Sequence, residues 1–164
     1  MRLKVRYWIC SNKLSAALRR YAASPRACPA HRFSPKPHAQ IAAASDATSV
    51  LLCDRGLLDI SAYIPAELGE SLLAERGMDN AAALGSYDAV VHLVTAADGA
   101  EAFYTTANNG ARTETAEQAR HLDALVHSAW SAHPAHVTID NSGEGGFPEK
   151  QQRVIDAVLK VCDL

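Results

Sequence analysis

Three short apolar runs, each followed by polar residues, limit the folds open to this chain more than any other feature of its sequence. They span residues 49–53 (SVLLC), 88–95 (DAVVHLVT) and 136–140 (HVTID). Each run has the length of one strand and contains Val, Leu or Ile in succession, which is typical of strands buried on both faces of a parallel sheet. The sequence therefore predicts three such strands.

Helical patterns follow these strands, over residues 66–76, 115–132 and 148–162. In the longest, Thr115 and Gln118 predict a capping box, and apolar residues then recur at helical spacing. Strands that alternate with helices imply an α/β fold with a parallel sheet and right-handed crossovers. The last helix is expected to bury Val154, Ile155, Val158 and Cys162.

The charge of the chain is divided unequally along its length. Residues 1–45 hold nine Lys/Arg and no acid, whereas residues 46–164 hold seven Lys/Arg and eighteen Asp/Glu, a net charge of −11. We interpret residues 1–45 as a basic segment separate from an α/β domain at 46–164. Its composition is that of a mitochondrial or plastid transit peptide, with a disordered tail or a misplaced exon as alternatives.

Composition places the remainder among ordinary globular proteins, without a run of about 20 apolar residues that would span a bilayer. The four cysteines show no metal-ligand spacing, so we expect reduced thiols in an intracellular protein. Cys53 and Cys162 are expected in the core, and so is His92, which alternates with apolar residues. The seven histidines suggest no metal site, and we expect no nucleic-acid partner.

Polar residues that follow the strands are the candidates for chemistry, because ligands of parallel sheets bind at the carboxyl ends of the strands. Asp54 follows an apolar run, a position where a carboxylate can hold Mg²⁺. A carboxylate that caps the next helix, or that pairs with Arg55, would account for an acid at this position equally well. Arg112 lies in a long polar segment, residues 96–114, that we interpret as a lid. It is suited to neutralising a phosphoryl group, or else it pairs with a neighbouring glutamate. Asn141 follows the last strand and is a candidate for contact with a base, or a turn residue.

Three blocks of residues together resemble one family. Residues 50–63 (VLLCDRGLLDISAY), 86–114 (SYDAVVHLVTAADGAEAFYTTANNGARTE) and 117–141 (EQARHLDALVHSAWSAHPAHVTIDN) are similar to the NadR/TRPL-translocation-defect type of AAA-like P-loop ATPase/GTPase domain. The resemblance implies a P-loop kinase-like three-layer fold that binds ATP or GTP with Mg²⁺. Asp54 falls on the acid that holds the metal, and Arg112 falls on the lid arginine. Arg55 and Asp59 belong to the same block as Asp54 and, with Asn141, are expected to bind the cofactor.

The chain departs from that family at its beginning. A phosphate-binding loop has the pattern G-x-x-x-x-G-K-[ST], which occurs nowhere in the sequence. We therefore expect the opening strand and the phosphate loop to be missing, nucleotide binding to be impaired, and catalysis to require the missing part. The alternatives are a non-enzymatic module that binds anionic lipid or a membrane-protein partner, and a truncated fragment without activity of its own.

Overall fold

The computed structural model describes residues 4–10, 49–104 and 114–162, and four strands lie within them. They are β1 (Lys4–Cys10), β2 (Ser49–Asp54), β3 (Ala89–Leu93) and β4 (His136–Ile139). They form one sheet in the order β2-β1-β3-β4, and every neighbouring pair is parallel. The α/β fold with a parallel sheet is thus confirmed.

Strand β1 is the central strand, so the expectation that the opening strand is missing is wrong. Its backbone pairs with β2 on one side and β3 on the other, with Ile9 opposite both Asp54 and Val91. Composition concealed this strand, because Lys4 and Arg6 alternate with apolar residues and look like part of a basic segment. The sequence itself contains no phosphate-loop motif, and the presence of β1 does not alter that.

The helices are α1 (Ala66–Ala74), α2 (Asn80–Leu84), α3 (Ala116–Trp130) and α4 (Gly146–Val161), with 3-10 segments at Leu57–Ala62 and Glu101–Phe103. The three predicted helices are confirmed within a few residues. Thr115 and Gln118 form the predicted capping box at the start of α3. Gly77 has a φ of 66° just beyond α1, a left-handed conformation that glycine adopts without strain. Neither α2 nor the 3-10 segment at Leu57–Ala62 was predicted.

The two faces of the sheet are covered by different elements. On one face Val90 packs with Val126 and Trp130 of α3, in a cluster that also includes residues of α1, α2 and the Leu57–Ala62 segment. On the other face Val91 packs with Val154 of α4. Alternate residues of β3 therefore point into two cores, and the predicted three layers are present.

Helix α4 buries a narrower stripe than its sequence predicts. Val154 and Cys162 are 5% and 6% exposed, as expected for the sheet-facing side. Ile155 is 49% exposed, so the prediction that it is buried is wrong. Successive helical residues are about 100° apart, and the side that faces the sheet carries Lys150 and Val154 one turn apart. No helix among the described residues is both long and apolar enough to span a membrane.

Candidate functional site

The carboxyl ends of the four strands meet at one edge of the sheet. Cys10, at the end of β1, lies opposite His92 near the end of β3. From these two strands the chain proceeds in opposite directions, since β1 leads to β2 and β3 leads to β4. Such a reversal opens a crevice beyond the two strand ends, which is where ligands of open α/β sheets bind. Asp54 ends β2, one strand away from this crevice.

The end of β2 carries two charged residues in different environments. Asp54 is exposed at the sheet edge. A carboxylate must be exposed in this way to meet a solvated cation. The next residue, Arg55, has a φ of 78°, which costs a non-glycine residue about 1–3 kcal/mol. Strain of this kind persists only where surrounding contacts enforce it, and Arg55 has several.

Among the described residues, Tyr63 and Asp59 hold the Arg55 guanidinium. It donates a hydrogen bond to the Tyr63 hydroxyl at 3.2 Å, and the guanidinium carbon lies 5.9 Å from the centre of the Tyr63 ring. The same guanidinium lies 3.5 Å from Oδ2 of Asp59. Its side chain nevertheless remains 35% exposed. Arg55 is thus a fixed positive charge that solvent still reaches.

Asp59 lies beneath Arg55 and is 4% exposed. Its Oδ1 accepts a hydrogen bond of 2.7 Å from the indole Nε1 of Trp130 in α3. Burial raises the pKa of Asp59 to about 6, against the opposing effects of the Trp130 hydrogen bond and the Arg55 charge. Asp59 was predicted as a cofactor-binding residue; the structure places it where it supports Arg55 and is itself closed to solvent.

Asn141 follows β4 and has both ends of its amide engaged within the protein. Its Nδ2 donates to the backbone oxygens of Thr95 and Asp98 at 2.8 and 2.6 Å. Its Oδ1 accepts a hydrogen bond of 2.7 Å from Nζ of Lys150. The structure therefore brings Asn141 together with the loop that follows β3, at the opposite side of the crevice from Asp54.

Side chains from two helices, α3 and α4, also fix that loop, which spans residues 94–99. Lys150 of α4 donates to the backbone oxygen of Val94 at 2.6 Å, and Arg120 of α3 donates to that of Ala97 at 2.7 Å. Asp123 accepts from the Thr95 amide at 3.1 Å. The beginning of the predicted lid is thus rigidly held at the crevice. The predicted lid arginine, Arg112, lies outside the described residues.

Lys150 is the residue at this edge that sequence reasoning missed. It is 9% exposed, and burial lowers its pKa below the usual value for lysine. The signal was present, since Lys150 precedes Val154 by one helical turn and so occupies the buried face of α4. A lysine there predicts a buried acceptor, but its acceptors Val94 and Asn141 cannot be identified from spacing.

Histidines form a cluster between α3 and the sheet. His92 is 1% exposed, which confirms it as a core residue, and its Nε2 lies 3.2 Å from Oδ2 of Asp123. The His127 ring lies 5.0 Å from that of His92 and 4.8 Å from that of His136. Within residues 4–10, 49–104 and 114–162, no three His, Cys, Asp or Glu side chains are arranged to hold a metal ion.

The histidine cluster leads us to one prediction about the stability of the fold. Burial and the neighbouring histidines lower the pKa of His136 to about 4. A histidine whose pKa is lower in the folded state favours unfolding when it takes up a proton, so stability should fall as the pH drops from about 6.5 towards 4. The urea midpoint of His136→Gln should therefore change less over this range than that of the unaltered chain. His121→Gln, at an exposed position of α3, is the control; equal pH dependence of all three chains would contradict the prediction.

An open cavity of about 530 Å³ lies at the start of α3. It is lined by Glu114, Glu117, Gln118, His121 and Leu122. Two carboxylates disfavour a phosphate there, so this cavity is a poorer candidate for an anionic ligand than the edge that carries Arg55.

Comparison with known proteins gives one match. A family model described as an AAA domain matches residues 13–149, which is more than four fifths of the chain. The match spans the basic segment from residue 13 onward as well as β2, β3 and β4. No curated protein and no solved structure matches the chain.

Proposed function

The chain belongs to this AAA-domain family of the P-loop NTPase type, and on that basis we propose that it binds a nucleoside triphosphate, ATP or GTP, with Mg²⁺. The observation that carries the proposal is the position of Asp54. It is an exposed carboxylate at the carboxyl end of β2, in register with Ile9 of the central strand. P-loop NTPases place the acid that holds Mg²⁺ at the end of such a strand.

The residues present are compatible with Mg²⁺. In nucleotide sites this ion takes one or two carboxylates from the protein, and water and phosphate oxygens fill the other positions. A single exposed carboxylate such as Asp54 satisfies that requirement. When bound, the ion would neutralise charge on the nucleotide phosphates. Arg55 would add a fixed positive charge, and Asn141 would act through the loop at 94–99, since its own amide is engaged.

The affinity should be lower than that of a family member with a phosphate loop. The chain contains no G-x-x-x-x-G-K-[ST], and residues 1–55 contain no glycine. Each missing charge-assisted hydrogen bond to phosphate would cost about 1.5–3 kcal/mol. Binding, rather than hydrolysis or phosphoryl transfer, is therefore the function that we propose.

The NadR-like type is proposed on the motif blocks of the sequence, and the choice between ATP and GTP is for titration to decide. Anionic lipid or a membrane-protein partner remains a prediction from the basic residues 1–45. A mitochondrial, plastid or cytoplasmic location is likewise a prediction from that composition.

Calorimetric titration of the full chain with ATP and with GTP, with and without Mg²⁺, tests the proposal. We expect saturable binding of at least one nucleotide, tighter with Mg²⁺. Asp54→Asn should remove most of the Mg²⁺-dependent gain, because an amide is a weaker ligand than a carboxylate. Asp156→Asn, on the exposed side of α4 where an amide can still accept from Gln152, should leave it unchanged. Absence of binding to either nucleotide at millimolar concentration would refute the proposal.

A further inference from the structure

We propose that Lys150 binds a phosphate-type anion at the crevice, on the side opposite Asp54. The inference rests on the proposed function only for the choice of phosphate among anions, and it deepens that function by placing a cation on the far side of the crevice from the proposed Mg²⁺ ligand. It is tested with sulfate in the absence of nucleotide, so that failure of nucleotide binding would leave it standing.

The ammonium of Lys150 lies at the carboxyl edge of the sheet. Its Nζ donates to the backbone oxygen of Val94, which directly follows β3, and to Oδ1 of Asn141, which follows β4. An ammonium has three N–H donors, and these two contacts use two of them. Lys150 makes no other hydrogen bond within the described residues, so one donor remains for a ligand.

Lys150 is a buried cation without a counterion. The residue is 9% exposed, yet no carboxylate in the described part of the chain forms an ion pair with it. A buried charge is costly unless it is paired, because the protein interior solvates an ion less well than water does. Burial accordingly lowers the pKa of Lys150 below the usual value for lysine. An anion that contacts Nζ would supply the missing pair.

The carboxylates near Lys150 are engaged with other groups. Among the described residues, the charges that act on Lys150 are those of Asp123 in α3, Asp140 after β4 and Arg153 in α4. Oδ1 of Asp123 accepts from the Thr95 amide at 3.1 Å, and Oδ1 of Asp140 accepts from the Arg153 guanidinium at 2.8 Å. Neither carboxylate therefore replaces an anion at Nζ.

A fixed ammonium is suited to a phosphate oxygen. Lysine binds phosphate in proteins as a point charge, so one open N–H is sufficient for a contact. Because Val94 and Asn141 already hold the side chain, little conformational entropy is lost on binding. The match with the AAA-domain family ends at residue 149, so the match itself does not predict a role for Lys150.

Sulfate, a tetrahedral dianion whose charge does not change near or above neutral pH, provides the test. The Hε and Cε NMR signals of Lys150 in the unaltered chain would be followed against pH, in sulfate and in chloride at matched ionic strength. An anion at Nζ favours the charged lysine, so sulfate should raise the pKa of Lys150 relative to chloride. Calorimetry should correspondingly show sulfate bound about tenfold more tightly when Lys150 is charged than when it is neutral, the effect of one hydrogen bond from a charged donor.

Variants in α4 supply the second measurement. Lys150→Met removes the ammonium but keeps an unbranched side chain, and it should weaken sulfate binding about tenfold or more. Lys160→Met, at an exposed position in the last turn of the same helix, is the matched control and should bind sulfate as the unaltered chain does. Should Lys150→Met not fold, the pKa of Lys150 in the two salts decides the question.

Three results would overturn the proposal. A lysine that only holds Val94 and Asn141 would have the same pKa in sulfate and in chloride, even if Lys150→Met bound sulfate poorly. Equal sulfate binding by Lys150→Met and the unaltered chain would assign the anion to other cations. Absence of saturable sulfate binding by the unaltered chain would show that no such site exists.

A second titration of sulfate, in the presence of saturating nucleotide, identifies the source of the phosphate. Competition would assign Lys150 to a phosphate of the nucleotide, and independent binding would assign it to a phosphorylated second ligand. Either result supports the anion site at Lys150.

Discussion

A chain that begins at residue 46 is expected to lose its cooperative unfolding transition, because it lacks the central strand of the sheet. Strand β1 supplies the pairing partner of both β2 and β3, which do not pair with each other in the order β2-β1-β3-β4. Without it, β2 and the buried strand β3 would both expose unpaired backbone groups, each costly to leave unsatisfied. Urea unfolding followed by circular dichroism would measure the effect.

Variants at one position distinguish the contribution of β1 to stability from that of the other residues of the basic segment. Tyr7 pairs with Leu52 on one side and Ala89 on the other. Tyr7→Pro removes a ladder N–H from a central strand and leaves its acceptor unpaired, which should cost about 1–3 kcal/mol. Tyr7→Ala, which keeps the N–H, is the matched control and should cost less. If residues 1–45 were a dispensable segment, the shortened chain and Tyr7→Pro would both unfold at the midpoint of the unaltered chain.

Replacement of Trp130 by alanine should destabilise the domain by about 3–5 kcal/mol, the usual cost of removing a buried aromatic side chain. Trp130 is fully buried and packs edge-to-face against Tyr87, with ring centres 5.1 Å apart. Leu125→Ala, at a position of the same helix that is 39% exposed, should cost much less. Equal urea midpoints for the two variants would contradict the assignment of Trp130 to the core.

Trp130→Phe would separate the hydrogen bond of this residue from its packing. Phenylalanine leaves Oδ1 of Asp59 without the donor that now lies 2.7 Å away, so the pKa of Asp59 should rise above its present value of about 6. A carboxyl whose pKa is raised on folding stabilises the folded state when protonated, and stability is lost as the pH increases through that pKa. The free energy of unfolding that Trp130→Phe loses, relative to the unaltered chain, should thus be larger at about pH 8 than at about pH 5. A larger loss at pH 5 would be inconsistent with a hydrogen bond from Trp130 to ionised Asp59.

The elements that the sequence predicted are those whose signal is local. Strands β2, β3 and β4 are apolar runs. Thr115 and Gln118, three positions apart, mark the start of α3 by the hydrogen bonds of a capping box. Strand β1 has no such signal, because its place between β2 and β3 depends on residues far along the chain. Helix α2 has five residues, capped by Asp79, which is too short for a helical period to be recognised.

The same distinction between local signals and contacts distant in sequence applies to the candidate site. Asp54 was predicted at the end of a strand and lies there, exposed. Asp59 was predicted as a cofactor-binding residue, and the structure shows it buried and bonded to Trp130, a partner 71 residues away that no local pattern indicates. Lys150 bonds the backbone of Val94 across 56 residues, a contact that no sequence pattern near Lys150 shows.

The order of pairing in the sheet has a consequence for synthesis of the protein. Of the four described strands, β1 leaves the ribosome before the others, but Lys4 pairs with Ser49 and Tyr7 pairs with Ala89, so its partners follow about 45 and 80 residues later. Pairings this distant in sequence form slowly, and until then a strand with both edges open is a site for aggregation. The basic, acid-free residues around it would keep nascent chains apart by mutual repulsion while the acidic remainder is made.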